Sequence, residues 1–155
     1  MKNIDAVLRY LTGESGLWDL KAGAIENWYS GQAQPSAAAI SAAELPAMKA
    51  EAITAIKTEA GRRILAIAPE WKQRNNLARF AELLDLPTLT QAEQDEKDAL
   101  KAAGQFLRSI RTASDQMEAQ VSGFTTLAFV EEYIAGIGND TATTPRTIEW
   151  PQATG

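Results

Sequence analysis

The stretch TQAEQDEKDALKAAGQFLRSIRTASDQMEAQV, residues 90–121, carries the most regular pattern in the chain. Thr90 and Glu93 stand at its start with the spacing of a capping box, which begins a helix. Residues with heptad spacing then follow: Leu100, Ala103, Leu107, Ile110, Ser114, Met117 and Val121. This spacing predicts one long helix with an apolar seam, in which Ser114 is the single polar position.

The positions beside this seam leave its packing partner open. They hold Gly104, Phe106, Arg111 and Ala113, so charged residues do not flank the whole seam as they do in many coiled coils. Packing within a helical bundle therefore explains the seam as well as a self-associating coiled coil does, and we favour the bundle.

Two further helices are predicted upstream. The first spans 47–68, with Pro46 at its start and Pro69 breaking it, because proline lacks the backbone N–H that a helix needs. Its apolar stripe consists of Met48, Ile53, Ile56, Ala60, Ile64 and Ile67. The second spans 70–84, and its apolar face consists of Trp71, Leu77, Phe80, Ala81 and Leu84.

The segment APEWKQRNNLARFAELL, residues 68–84, contains the joint between these two helices. We assign the joint to Pro69, Trp71, Arg74 and Asn75. Pro69 is expected to turn the chain and Trp71 to pack into the corner. The amide side chains of Gln73, Asn75 and Asn76 are then available for backbone groups that the joint leaves exposed.

Basic residues cluster around the joint, and two interpretations compete. The cluster consists of Arg62, Arg63, Lys72, Arg74 and Arg79. It could form a site for a phosphate or a carboxylate. It could also be a solvated corner, since Glu59 precedes Arg63 and Glu70 precedes Arg74 at the favourable i,i+4 spacing. We favour the solvated corner.

The remaining chain divides into three parts around a helical domain at 35–138. Residues 1–13 form an amphipathic docking helix in which Leu8 and Leu11 belong to the apolar face. Residues 14–34 form a small β-hairpin, with strands near 17–20 and 25–29. The helical domain ends with a short helix, and 139–155 is a polar, extended C-terminal tail. The predicted class is mainly α: a helical hairpin or bundle with one long heptad-patterned helix and an N-terminal β-hairpin.

Composition excludes several classes of chemistry. The chain of 155 residues has neither cysteine nor histidine, which excludes thiol nucleophiles and every histidine-based triad. Its net charge is −5, whereas a general nucleic-acid binder carries a basic surplus. The acidic run EQDEKD, residues 93–98, spreads over several helix faces rather than converging on a metal. We therefore expect no enzyme, cofactor, metal, nucleic-acid partner or membrane insertion.

The joint segment resembles a segment of bacteriophage tail and tail-fibre proteins. The similarity lies in RRILAIAPEWKQRNNLARFAELL, residues 62–84, and above all in the string PEWKQRN. It continues through TLTQAEQDEKDALKAAGQFLRSIRTASDQMEAQ, residues 88–120, and upstream into GAIENWYSGQAQPSAAAISAAELPAMKAEA, residues 23–52. The two ends of the chain depart from the family pattern.

This resemblance implies a non-enzymatic structural protein of the virion tail, made in the host cytoplasm: a tail-fibre component or adaptor of the host-attachment apparatus. The main alternative is a tail-fibre assembly chaperone that is absent from the mature virion. A surface-glycan hydrolase is a third, less favoured hypothesis. The implied partners are other phage tail proteins, with contact to a host surface receptor as a further hypothesis.

The resemblance also implies a homotrimer, because tail fibres of that family are built on three-fold axes. We predict that Leu100, Leu107, Ile110, Met117 and Val121 lie at the contact between copies and that Ser114 forms a polar layer that restricts register. The competing prediction is a folded monomer in which the helix at 47–68 covers the same stripe.

Overall fold

The computed structural model describes residues 3–14 and 16–152. Within them the elements are, in chain order, α1 (Ile4–Thr12), β1 (Trp18–Lys21), β2 (Ala24–Trp28), α2 (Ala37–Ile67), α3 (Glu70–Asp85), α4 (Gln91–Ser122) and α5 (Leu127–Gly136). The predicted class is confirmed: the molecule is mainly helical, with a long helix and a small antiparallel β-hairpin near the N-terminus. No helix in the described ranges is both long and apolar enough to cross a membrane.

Helix α2 is longer than the sequence pattern predicted. It begins after Ser36, whose side chain accepts a hydrogen bond from the backbone N–H of Ala39, and it continues for 31 residues. The prediction that Pro46 starts a separate helix is wrong, since Pro46 lies inside α2. An interior proline costs about 3 kcal/mol, but packing holds the helix on both sides of it. Ala43 is buried before Pro46, and Ala47 is buried after it.

Helix α4 confirms the predicted capping box and the predicted length. The N–H of Thr90 donates to Glu93 at 2.8 Å, and the N–H of Glu93 donates to the Thr90 hydroxyl at 3.3 Å. The helix then runs for 32 residues to Ser122. Only its C-terminal half is buried, at Ile110, Ala113, Ser114, Met117 and Val121.

The main core lies where that half of α4 meets α2 and α5. Its buried residues are Met48, Ala52, Ile56, Ala60, Ile64, Ile110, Ala113, Met117, Val121, Val130, Tyr133, Ile137 and Trp150. The bundle interpretation of the heptad seam therefore holds for residues 110–121. The predicted inter-copy contact is wrong for Ile110, Ser114, Met117 and Val121, because each is at most 5% exposed within a single chain. Leu100 and Leu107 remain only partly buried.

A second, smaller core joins α1 and the hairpin to the first half of α2. It contains Ile4, Val7, Leu8, Trp18, Ile40, Ala43 and Ala47. The docking prediction holds for Leu8, which is fully buried here, whereas Leu11 is 38% exposed. Trp18 stacks on Trp28 at 5.7 Å between ring centroids, and its indole N–H donates to Asp5 at 2.9 Å. The stack joins the two strands of the hairpin, and the hydrogen bond to Asp5 fixes the hairpin to α1.

The hairpin closes through a two-residue turn. Ala22 and Gly23 both have positive φ, at 52° and 77°. Two successive positive φ angles are typical of the turn that matches the twist of paired strands. The strands pair with Trp18 opposite Trp28, and a register shift follows Asp19.

The C-terminal segment, 139–152, lacks helix and strand but is packed onto the core. Trp150 and Arg146 are each 1% exposed. The indole N–H of Trp150 donates to the carbonyl of Ile137 at 2.7 Å. Gln120 of α4 donates to the carbonyl of Pro145 at 2.9 Å, which ties the segment to the long helix. The prediction of an extended tail therefore missed this docking.

Candidate functional site

The joint between α2 and α3 forms at Ala68 and Pro69, as predicted, but its corner is filled differently. Ala68 is 5% exposed, whereas Trp71 is 59% exposed. The prediction that Trp71 packs the corner is therefore wrong. A small residue fills the space where the helices meet, and the indole in the first turn of α3 points outward. The prediction for Gln73 is confirmed, because its side-chain amide donates to the carbonyl of Ala68 at 2.7 Å.

Helix α3 buries little of its apolar surface. Leu83 is its single buried residue, while Leu77 is 71% exposed and Leu84 is 55% exposed. Of the eleven exposed large apolar residues in the described ranges, six fall between 65 and 86. These six are Leu65, Ile67, Trp71, Leu77, Leu84 and Leu86. The region around α3 is therefore the main uncovered apolar surface of the described chain.

A groove lies between α3, the end of α2 and the middle of α4. Its volume is about 530 Å³. The apolar and small residues that line it are Ile67, Ala68, Leu77, Phe80, Leu100, Ala103, Gly104, Phe106 and Leu107. We call this feature the α3–α4 groove. A Cβ built on Gly104 meets no atom within 4 Å, so the missing side chain leaves open space on the α4 wall.

Five cationic side chains also line the α3–α4 groove, and no acidic residue does. They are Lys72, Arg74, Lys101, Arg108 and Arg111. All five are exposed. Within the described ranges none of them forms an ion pair, whereas Arg9, Arg62, Arg63 and Arg79 all do. The groove is thus locally positive in a chain whose net charge is −5.

The predicted basic cluster therefore separates into two groups. Arg62 and Arg63 both donate to Glu59, at 2.7 Å and 2.6 Å, which confirms the predicted pairing of Glu59 with Arg63. Arg79 pairs with Glu96 at 2.8 Å across α3 and α4, and with Glu82. Arg62 and Arg79 belong to solvated corners, as we favoured, whereas the side chain of Arg63 is only 13% exposed.

Arg74 is solvated, but its predicted pairing with Glu70 is wrong, because no ion pair joins the two residues in the described part of the chain. Glu70 lies in the first turn of α3, where the positive end of the helix dipole stabilises it without a partner. Arg74 and Lys72 face the groove instead.

Hydrogen bonding from arginine lowers the pKa of the paired carboxylates. The pKa of Glu59 is lowered mainly by its hydrogen bond with Arg62, even though burial acts in the opposite direction. Arg79 lowers the pKa of Glu96 in the same way. Both carboxylates therefore remain charged and paired at neutral pH, and neither is available as an acid catalyst there.

Of the other residues that the sequence singled out, some line the α3–α4 groove and others do not. Leu100 and Leu107 line the α3–α4 groove beside Arg74, so part of the seam and part of the joint share one surface. Asn75 is exposed and lies outside the groove lining. Leu8 belongs to the second core and does not line the groove.

Sequence reasoning missed Lys101, Arg108 and Arg111 as partners of the joint. A signal was present in part: Arg108 has no acidic residue three or four positions away, so no intrahelical pair could neutralise it. Their convergence with Lys72 and Arg74 depends on how α3 lies against α4, which no local pattern specifies.

The lining of this surface is suited to binding a ligand that is both apolar and anionic. An apolar floor with a cationic rim can bury the apolar face of a ligand while its anionic groups meet the rim. No cluster of three or more potential metal-binding side chains was found among the described residues. No protein-family model matches the chain, and no curated protein or solved structure matches it either.

Proposed function

We propose that this protein is a structural component of a bacteriophage tail, a tail-fibre component or adaptor that works by binding other tail proteins. The observation that carries the proposal is that the same residues belong to the family resemblance and to the groove. Lys72, Gln73 and Arg74 belong to the string PEWKQRN, on which the family resemblance depends, and the same residues line the α3–α4 groove. A segment that resembles tail proteins thus supplies the surface best suited to a protein partner.

The uncovered apolar surface around α3 supports the same proposal. Monomeric proteins rarely leave large contiguous apolar patches exposed, and such patches mark interaction sites. Leu77 and Leu84 lie on a helix that buries only Leu83. A partner that covered this helix would complete its packing.

Self-association as a homotrimer stays part of the proposal, but the contact surface changes. Ile110, Met117 and Val121 are covered by their own chain and cannot also contact a second copy. Contacts between copies would have to use exposed apolar residues, such as Leu65 and Leu84.

An assembly chaperone is the competing function, because a groove of this kind could also hold a fibre chain transiently. Mass spectrometry of purified virions separates the two. A structural component should be present in mature particles at a stoichiometry comparable to other minor tail proteins. Detection of the chain in infected cells together with its absence from purified particles would reject the structural role and favour the chaperone.

A further inference from the structure

We propose that the α3–α4 groove binds an acidic amphipathic helix supplied by a partner protein. The inference relies on the proposed function only for where that partner is found, in the phage tail. The recognition chemistry stands on the groove itself. Three observations define the ligand: the shape of the groove, the charge of the groove, and the hydrogen bonds that already engage the acidic residues of 93–98.

The shape suits a helix that lies along the groove. The walls are themselves helices, and the apolar lining between them includes Leu77, Phe80, Leu100 and Leu107. Helix-in-groove recognition uses apolar side chains at i, i+3, i+4 and i+7 of the bound helix as anchors. Ala103 and Gly104 are small, so a ligand side chain can approach the backbone of α4 closely at this point.

The charge identifies the polar face of that ligand as acidic. Arg74 and Lys72 lie on the α3 side, while Lys101, Arg108 and Arg111 lie on the α4 side. A helix between these walls would present carboxylates to both. Complementary charge across an interface increases the rate and specificity of association.

The same features disfavour a nucleic acid. Phosphates would engage the cationic rim but leave Leu77 and Phe80 without a partner. The chain as a whole is acidic, with a net charge of −5, and would repel a long polyanion.

A second copy of this chain is also disfavoured, because its most acidic segment is already engaged. Each of the four acids in 93–98 has an intramolecular partner: Glu93 with Thr90, Asp95 with Gln91, Glu96 with Arg79 and Asp98 with Gln94. Presenting these carboxylates to another copy would break the capping box of α4 and the ion pair that links α3 to α4. The occupant is therefore a different protein.

The test measures binding of a synthetic helix to the full chain by fluorescence anisotropy. The probe is a fluorescein-labelled peptide of about 18 residues, five helical turns, with leucine at the anchor positions and glutamate elsewhere. A second peptide has lysine in place of every glutamate. A third has the same glutamate content but alanine in place of leucine. We expect the first peptide alone to bind with measurable affinity at moderate salt.

Three variants locate the binding site. The triple variant Arg74→Glu, Arg108→Glu and Arg111→Glu should weaken binding by more than about tenfold, since like charges then face the peptide. Gly104→Leu should weaken it by filling the groove, while circular dichroism shows an intact fold. Lys21→Glu is the control outside the groove: it reverses one charge on β1, where Lys21 pairs with Glu26, and should leave the affinity unchanged.

Several results would overturn the proposal. It fails if the leucine peptide does not bind, or if the triple variant and Gly104→Leu both bind it as tightly as the wild type. It also fails if the alanine peptide or a DNA oligonucleotide binds equally well, because the groove would then be only a polyanion surface. Light scattering that shows dimers lost in the triple variant would assign the groove to a second copy. None of these results depends on virion proteomics, so the two proposals can fail separately.

Discussion

Trp71 and Trp150 show how two tryptophans in similar polar sequence contexts acquire opposite roles. Trp71 begins α3 and is 59% exposed, whereas Trp150 lies in an irregular segment and is 1% exposed. The guanidinium of Arg63 lies 5.0 Å from the centroid of the Trp150 ring. The indole N–H of Trp150 donates to the carbonyl of Ile137. Tertiary docking decides which of these two rings is buried. The helical apolar pattern therefore wrongly predicted that Trp71 is buried.

The first prediction compares the two tryptophans by truncation. Trp150→Ala should lower the free energy of unfolding by about 3–5 kcal/mol, because it removes a large buried side chain and its hydrogen bond. Trp71→Ala should change it by less than about 0.5 kcal/mol, as for surface positions without special contacts. Urea denaturation of both variants checks this. Equal destabilisation by the two substitutions would contradict the exposures described above.

The second prediction concerns Arg146, the buried cation that organises the C-terminal segment. Its guanidinium donates to the carbonyls of Ile148 and Asn139 at 2.8 Å each, and to that of Thr141. Arg146→Met preserves length but leaves these acceptors without their donor, and should cost about 3–5 kcal/mol. Hydrogen exchange should show lost protection around 139–152 while α1 is unaffected.

The control for this experiment is Arg62→Met. Arg62 pairs with Glu59 but its side chain is 64% exposed, so its loss should cost no more than about 1 kcal/mol. If both variants retained wild-type exchange around Trp150, Arg146 would have no organising role.

At the scale of elements, one ion network connects the C-terminal half of α2 to the segment after α5. Glu59 accepts from Arg63 at 2.6 Å, and Arg63 also donates to Asp140 at 2.7 Å. The pKa of Asp140 is lowered chiefly by its hydrogen bond with Arg63, and that of Glu59 chiefly by Arg62. Both carboxylates therefore stabilise the fold only in their charged form.

The third prediction follows from the sign of these shifts. A carboxylate whose pKa is lower in the folded state stabilises the fold above its unfolded pKa, near 4.5 for Glu59, and loses that contribution as pH falls through its folded pKa. The free energy of unfolding should therefore decrease as the pH falls below about 4.5. In Glu59→Gln this decrease should be shallower, and stability at pH 7 should be lower. Urea titrations at several pH values measure both effects.

The matched control is Glu132→Gln, which removes one carboxylate from an exposed position of α5 that lies outside every ion pair found in the described ranges. It should reproduce the wild-type slope. A Glu59→Gln slope equal to that of wild type would show that the network does not stabilise the fold.

The element boundaries were largely predictable because local chemistry sets them. Thr90 and Glu93 began α4, and Pro69 separated α2 from α3. Pro46 misled the prediction because local preference was overridden by burial of α2 against two different cores. The docking of Trp150 could not be read from the sequence, since its contacts lie on elements distant along the chain.

The sequence singled out some residues of the groove but not the groove itself, because its walls come from separate helices. Arg74 and Leu107 were singled out for different roles, one in the joint and the other in the seam. Their shared surface arises from the packing of α3 on α4, which depends on tertiary geometry. Charge spacing left Arg108 without an intrahelical partner, but it did not show that cations of α3 and α4 line one groove.

At the scale of the whole molecule, burial is concentrated at one end of α4. The half that includes Ile110 and Val121 is covered by α2 and α5. The half that includes Leu100 lies beside α3, which itself buries a single residue. This asymmetry places the stability of the chain in one half of the bundle and leaves the other half available for a partner.

The last prediction uses that asymmetry to test whether the heptad seam of α4 packs within one chain or between copies of the chain. Ile110 and Leu100 both belong to the heptad seam, but Ile110 is 1% exposed in the core, whereas Leu100 lines the groove and is partly buried. Ile110→Asp should lower the free energy of unfolding by more than about 4 kcal/mol, because it leaves a charge without a partner among apolar side chains. Leu100→Asp should leave a cooperative thermal transition. If the whole seam instead assembled copies, both substitutions would convert an oligomer into folded monomers. Sedimentation velocity combined with circular dichroism distinguishes these outcomes, and a folded, dissociated Ile110→Asp variant would contradict the core described here.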